Sequence, residues 1–124
     1  MISEVDGKIV KLTNLDKAMW KDPLVTKGDL VHYYYNMAPL IIPHLEDRPL
    51  TVTRYPDGIE GAHFYQKQCP PYAPPWIRTF SSPSKDKVVD YILANDRATL
   101  VWLANQGTIE LHPWLSKANN PDFP

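Results

Sequence analysis

"TKGDLVHYYYNMAPLIIPHLEDRPLTVTRYPDG", residues 26–58, passes from one periodicity to another and thereby decides the class of the fold. Leu30, Tyr34, Met37, Ile41 and Leu45 recur every three or four positions and paint one face of a helix. Thr26 is a good N-cap, and Asp29 stands where a capping box needs its reciprocal acceptor, so Lys27 and Gly28 take the first helical positions. Pro39 lacks the amide proton of an interior helical residue, which predicts a kink or restart there, and Pro43 brings the end near. "RPLTVTRY" then alternates with period two, with Leu50, Val52 and Arg54 on one side and Thr51 and Thr53 on the other. Pro56, Asp57 and Gly58 make a turn.

Working outward, "KIVKL" (8–12) reads as a short strand and "NLDKAMW" (14–20) as a turn or short helix. "AHFYQK" (62–67) reads as a strand paired with 48–55 across the intervening loop. "CPPYAPPW" (69–76) is too rich in proline for a helix or a central strand and is expected to run extended over the surface. "WIRTF" (76–80) and "VVDYIL" (88–93) are further strands. Asn95 is placed to cap a helix over 96–106, which Gly107 ends in a left-handed conformation. "TIELHPW" (108–114) is the last strand, with Ile109 and Leu111 opposite Glu110 and His112. The order predicts a mixed α/β (α+β) fold, two main helices on a small mixed or antiparallel sheet. No repeat or linker divides the chain, so 1–124 reads as a single domain.

Charge and composition exclude several classes. A net charge of −1 gives no bulk basic field, so any nucleic-acid contact needs a local patch. Cys69 is the only cysteine, which excludes an internal disulfide and a cysteine-rich zinc site. The N-terminus carries acids and no long apolar run, so it reads as neither signal peptide nor membrane span, and a soluble, cytoplasmic protein is expected. Glu4 and Asp6 are the only carboxylates paired at i and i+2, in a terminus expected to be loose. Glu110 and His112 share a strand face without a third ligand nearby in sequence. With no glycine-rich phosphate loop and no nucleophile elbow, the residues alone make no complete catalytic machine.

A binding surface is easier to build. Lys17 and Lys27 beside a helix N-terminus, with its free N–H groups and positive dipole end, suit a phosphate; a capped helix with surface lysines reads the same way. Arg54, Phe64, Tyr65 and Lys67 fall on adjacent strands, where bases can stack on the rings while cations hold phosphates. Phe64 and Tyr65 are successive, so one of them turns toward the core unless the strand lies at an edge. Trp20, Trp76, Trp102 and Trp114 read as packing residues.

Four separated motifs agree on one family. "LTNLDKAMW" followed by "TKGDLVHYY", then "DRPLTVTRYPDGIEGAHFYQK", then "ATLVWLANQGTIELHPWLS" resembles the opening of the polymerase domain of bacterial DNA ligase D, in the archaeo-eukaryotic primase (prim-pol) superfamily that serves non-homologous end joining. The resemblance runs from about Lys11 to Pro124. It implies that Asn14, Lys17 and Lys27 hold the 5′-phosphate of a DNA break, and that Phe64 and Tyr65, with Lys67 close by, pack against the template. Arg54 falls on the arginine of the family's R-[YW]-P-[DN]-G segment among the DNA-contacting positions, and His112 on the histidine that approaches the incoming nucleotide's phosphates. Two departures stand out: Thr53 replaces a second basic residue, and proline has moved within "WKDPLVTK". The chain stops at "NNPDFP", before the family's D-L-D strand, whose aspartates bind the catalytic metal ions. No polymerase activity is therefore expected of the chain alone, and Mn or Mg is expected only with a part that carries those aspartates. The implied partners are DNA ends with a 5′-phosphate, a separate catalytic polymerase chain, an ATP-dependent ligase and a second copy in a homodimer. Two other readings stand beside this one: a stand-alone DNA-end adaptor without catalysis, and a protein-interaction module that presents "CPPYAPPW" as a polyproline ligand.

Overall fold

A computed structural model describes residues 1–118; the final stretch of the resemblance, 119–124, lies outside the described residues. β5 (Leu50–Arg54) is the centre of a five-stranded sheet. Along one side of it runs β9 (Thr108–Pro113), paired from Leu50↔Pro113 to Arg54↔Thr108. Its other side is shared by β6 (Phe64–Gln66) and, at Leu50↔Ile92, by β8 (Lys87–Leu93), which carries β7 (Arg78–Ser84) outward. Every pairing among the described residues is antiparallel, which resolves the mixed-or-antiparallel expectation.

Helices α1 (Lys27–Leu45) and α2 (Arg97–Asn105) cover one face of this sheet. Leu30, Val31, Tyr34, Ala38 and Leu45 from α1 meet Leu100, Val101, Leu103 and Ala104 from α2 over Leu50, Val52 and Ile92. Each of the leucines buried there contributes roughly 1.5–3 kcal/mol of transfer free energy. Trp102 is buried, and Trp20 and Trp76 pack against this core from its margin. Trp114 instead meets Tyr91 edge-on, with ring centroids 5.0 Å apart.

Several local expectations are corrected. The N-terminus is not loose: β1 (Ile2–Val5) and β2 (Lys8–Lys11) form a hairpin through Asp6 and Gly7, whose φ values of 49° and 84° suit a two-residue turn. Glu4 therefore lies on a strand, while Asp6 lies in the turn, 3.6 Å from Arg97. "NLDKAMW" makes a turn and then β3 (Ala18–Lys21), paired with β4 (Leu24–Thr26). "CPPYAPPW" folds into successive tight turns, Ala73 N–H to Pro70 O and Ile77 N–H to Pro74 O, with Cys69, Ala73 and Trp76 against the core. α2 is capped by Asp96, whose Oδ1 accepts from Thr99 N–H at 2.9 Å; Asn95 is engaged instead with Asp47.

α1 runs through Pro39 without a restart. Proline cannot donate to the carbonyl four residues earlier, that of Tyr35. Arg97 supplies the missing donor: its Nε donates to Tyr35 O at 3.0 Å, while its guanidinium lies 4.8 Å from the centroid of the Tyr35 ring.

Candidate functional site

The capping box at the start of α1 forms as read, with Thr26 N–H donating to Asp29 Oδ2 at 2.9 Å and Asp29 N–H to Thr26 Oγ1 at 3.1 Å. Against this first turn lies the loop that carries Asn14 and Lys17. Lys27 N–H donates to Lys17 O and Gly28 N–H to Leu15 O, each at 2.8 Å. Only glycine allows that approach comfortably, because a Cβ at 28 would stand 3.2 Å from Leu15 O. The expectation of free N–H groups is thereby corrected, since all of the first three helix amides are already bonded. An anion here is met by side chains.

Those side chains converge from four segments. Gly58, at φ +94°, packs against β3 so closely that a Cβ would lie 2.9 Å from Ala18 O. This docks the turn after β5, where Pro56 O accepts from Lys17 Nζ at 2.7 Å and Asp57 Oδ1 stands 3.7 Å from the same amine. Across the pocket, Tyr55 N–H donates to Gly107 O at 2.8 Å, and Arg54 Nε to Gln106 O at 2.9 Å. Asn105 clamps the facing loop by accepting from Thr13 N–H and donating to Lys11 O. The result is a cavity of about 200 Å³ whose lining includes Thr13, Lys17, Lys27, Arg54, Pro56 and Gly107.

Lys27 is the unusual member. It is 6 % exposed, and its Nζ reaches Thr13 Oγ1 at 3.4 Å; no carboxylate pairs with it among the described residues. Burial, followed by the nearby charges of Lys17 and then Arg54, pushes its amine below the ordinary lysine value of 10.5. Burying a cation without a counter-ion costs several kcal/mol, and gathering two more cations around it raises that cost. The physical complement of the pocket is an anion. Asn14 stands exposed outside the lining, in a left-handed turn at φ 55°, where its carbonyl accepts from Lys17 N–H.

The other predicted contacts lie on and around β6. Among the described residues it pairs only with β5, and at this edge both Phe64 (54 % exposed) and Tyr65 (62 %) face solvent, so neither turns into the core. They point to opposite faces: Phe64 lies opposite Arg54 on the pocket side, and Tyr65 opposite Thr53 on the far side. Tyr65 OH donates to Thr51 Oγ1 at 3.2 Å, and its ring centroid is 6.3 Å from that of His112. Lys67 joins Tyr65, Lys85 and Lys87 around a broad groove of about 770 Å³ between β6 and the β7–β8 turn.

On that far face, His112 Nε2 donates to Glu110 Oε1 at 3.1 Å, and Tyr55 OH donates to Glu110 Oε2 at 2.8 Å. The hydrogen bond from Tyr55 holds the Glu110 carboxyl below its usual range, and the same bond pushes the Tyr55 phenol up. Among the described residues no three His, Cys, Asp or Glu side chains come together to hold a metal. Thr13, Asn105 and Gly107 escaped the sequence reading as pocket residues, because only tertiary docking brings them to Lys27.

A family model described as the LigD primase-polymerase domain matches residues 26–124. The chain is 35% identical over 103 residues to the multifunctional non-homologous end joining protein LigD of Mycolicibacterium smegmatis and, over the same length, to the bifunctional non-homologous end joining protein LigD of Bacillus subtilis. Each match covers 83% of this chain, which spans only 14% and 16% of those proteins. A solved structure of the polymerase domain from Mycobacterium tuberculosis ligase D in complex with DNA is similar at a TM-score of 0.84 and 30% identity, covering 87% of this chain and 38% of that one.

Proposed function

The chain belongs to the LigD primase-polymerase family, and from that premise we propose that it carries the DNA-end-binding part of an end-joining repair polymerase, with the Lys17–Lys27 pocket taking a 5′-phosphate. The observation that carries this reading is a buried lysine that no carboxylate pairs among the described residues, gathered with a second lysine and an arginine around a small cavity. A terminal phosphate brings about two negative charges and three acceptor oxygens, which suits such a cluster. Asn14 shapes the loop that presents Lys17. Phe64 and Tyr65 stack on bases next to the end, Lys67 contacts the backbone beside them, and His112 meets the phosphates of an incoming nucleotide. Nucleotidyl transfer, with Mn or Mg, is assigned to a segment or chain that carries the family's aspartates, working beside an ATP-dependent ligase in the cytoplasm.

Fluorescence anisotropy on recessed DNA, with and without the 5′-phosphate, tests the reading. Lys17→Ala combined with Lys27→Ala is expected to remove the preference for the phosphorylated end, a loss of about 2–4 kcal/mol given typical charge-assisted hydrogen bonds. Equal binding of both ends by the unaltered protein would overturn it.

A further inference from the structure

We propose that Arg54 is the residue by which this pocket distinguishes a terminal phosphate monoester from a phosphodiester. The inference rests on the 5′-phosphate reading above and deepens it, because the motif resemblance left the arginine's role among the DNA contacts open.

Three observations carry it. Arg54 lines the same cavity as Lys17 and Lys27, at the end of β5 on the helix side of the sheet. Among the described residues its side chain is anchored through Nε alone, to Gln106 O at 2.9 Å, which leaves the outer edge of the guanidinium fork for a ligand. The anchor itself is rigid: Gln106 N–H bonds back to Trp102 O and Leu103 O, and the next residue, Gly107, is tied to Tyr55. A pre-placed planar fork loses little rotamer freedom on binding and matches two oxygens of one phosphate, whereas an ammonium acts as a compact point charge.

Charge balance points the same way. Lys17 already has Asp57 within 3.7 Å, while no carboxylate partners Lys27 or Arg54 among the described residues. Two unneutralised cations are matched by a monoester dianion. A diester, with one charge, leaves one of them uncompensated in a partly buried site.

The test compares recessed DNA carrying a 5′-phosphate, a 5′-phosphate capped as its methyl ester, and a 5′-hydroxyl. The unaltered protein is expected to prefer the monoester to the methyl diester. Arg54→Lys, which keeps the charge and loses the fork, is expected to reduce that ratio about tenfold, the scale of one charge-assisted hydrogen bond. Arg54→Gln is expected to bring the ratio to one. Thermal melting identifies a variant that fails to fold; should Arg54→Gln show no transition, Arg54→Lys decides. If both Arg54 variants keep the original monoester-to-diester ratio while the Lys17 and Lys27 variants lose phosphate preference, the inference alone is overturned. If the unaltered protein ignores the phosphate, the inference falls together with the reading on which it rests.

Discussion

The pocket and the open face of the sheet are built from the same strand, β5, in opposite ways. On the helix side, Arg54 faces a cavity whose walls are joined by backbone hydrogen bonds between loops and by glycines at close approaches. On the far side, Thr51 and Thr53 underlie Tyr65 and His112, whose side chains stand exposed and hydrogen-bond to neighbouring side chains. A fixed cluster of charge gathered around one buried lysine suits one ligand geometry, whereas solvent-facing rings accept any base with a π-face. Under the proposed function, the contrast suits the first region to end chemistry and the second to sequence-tolerant strand contact.

Gly58→Val attacks the fixed region without touching a charge. A β-branched side chain at positive φ, directed at the carbonyls of Ala18 and Met19, is expected to cost about 2–4 kcal/mol in urea unfolding and to weaken phosphate preference through displaced Lys17. Tyr65→Ala probes the open face, and Phe64→Ala the exposed edge strand on the pocket side. Each is expected to cost about 1–3 kcal/mol of DNA affinity, equally for phosphorylated and unphosphorylated ends, with little change in melting. Loss of phosphate preference in either variant would break the contrast, and Phe64, opposite Arg54, is the sharper probe.

Arg97→Ala leaves the Tyr35 carbonyl without its donor and is expected to cost about 1 kcal/mol in chemical denaturation. Adding Pro39→Ala restores an amide to the helix, so the double variant is expected to recover most of that loss.

The smallest effect is that of pH, and its sign follows from Lys27. Only the protonated amine attracts a phosphate, and burial lowers its pKa, so 5′-phosphate affinity is expected to fall as pH rises toward 10.5. The unfolded chain keeps that lysine protonated to higher pH, so the unliganded fold gains stability over the same interval. Lys27→Arg, which does not titrate there, is expected to flatten the affinity profile.

Much of the architecture is written locally. The Thr26 and Asp29 capping box, the alternation through Leu50–Arg54 and the glycine after α2 each depend on neighbours within a few residues. The Asp6–Gly7 turn is equally local, and the pairing of β1 with β2 across it is what orders the terminus. Other features depend on residues far away in sequence. Asn95 and Asp96 are equally good caps, and the choice falls to Asp96 because Asp47 occupies Asn95. The continuity of α1 through Pro39 depends on an arginine 58 positions later, and both β6 aromatics are exposed because no strand covers that edge among the described residues. The lysines of the site were legible from their motifs, but their union with Arg54 was not, since it follows from where Gly58 lets the turn dock.

The pocket draws on Thr13 and Lys17, Lys27, Arg54 and Pro56, and Asn105 to Gly107, stretches spread over most of the described chain. It exists only when all of them are in place, so an anion that enters it binds the native state and no partly folded one. Such a ligand stabilises by mass action, about 2.7 kcal/mol at a hundredfold excess over its Kd. Under the proposed function, a phosphorylated DNA end is expected to act as a folding ligand, with resistance to proteolysis rising with the concentration of such ends.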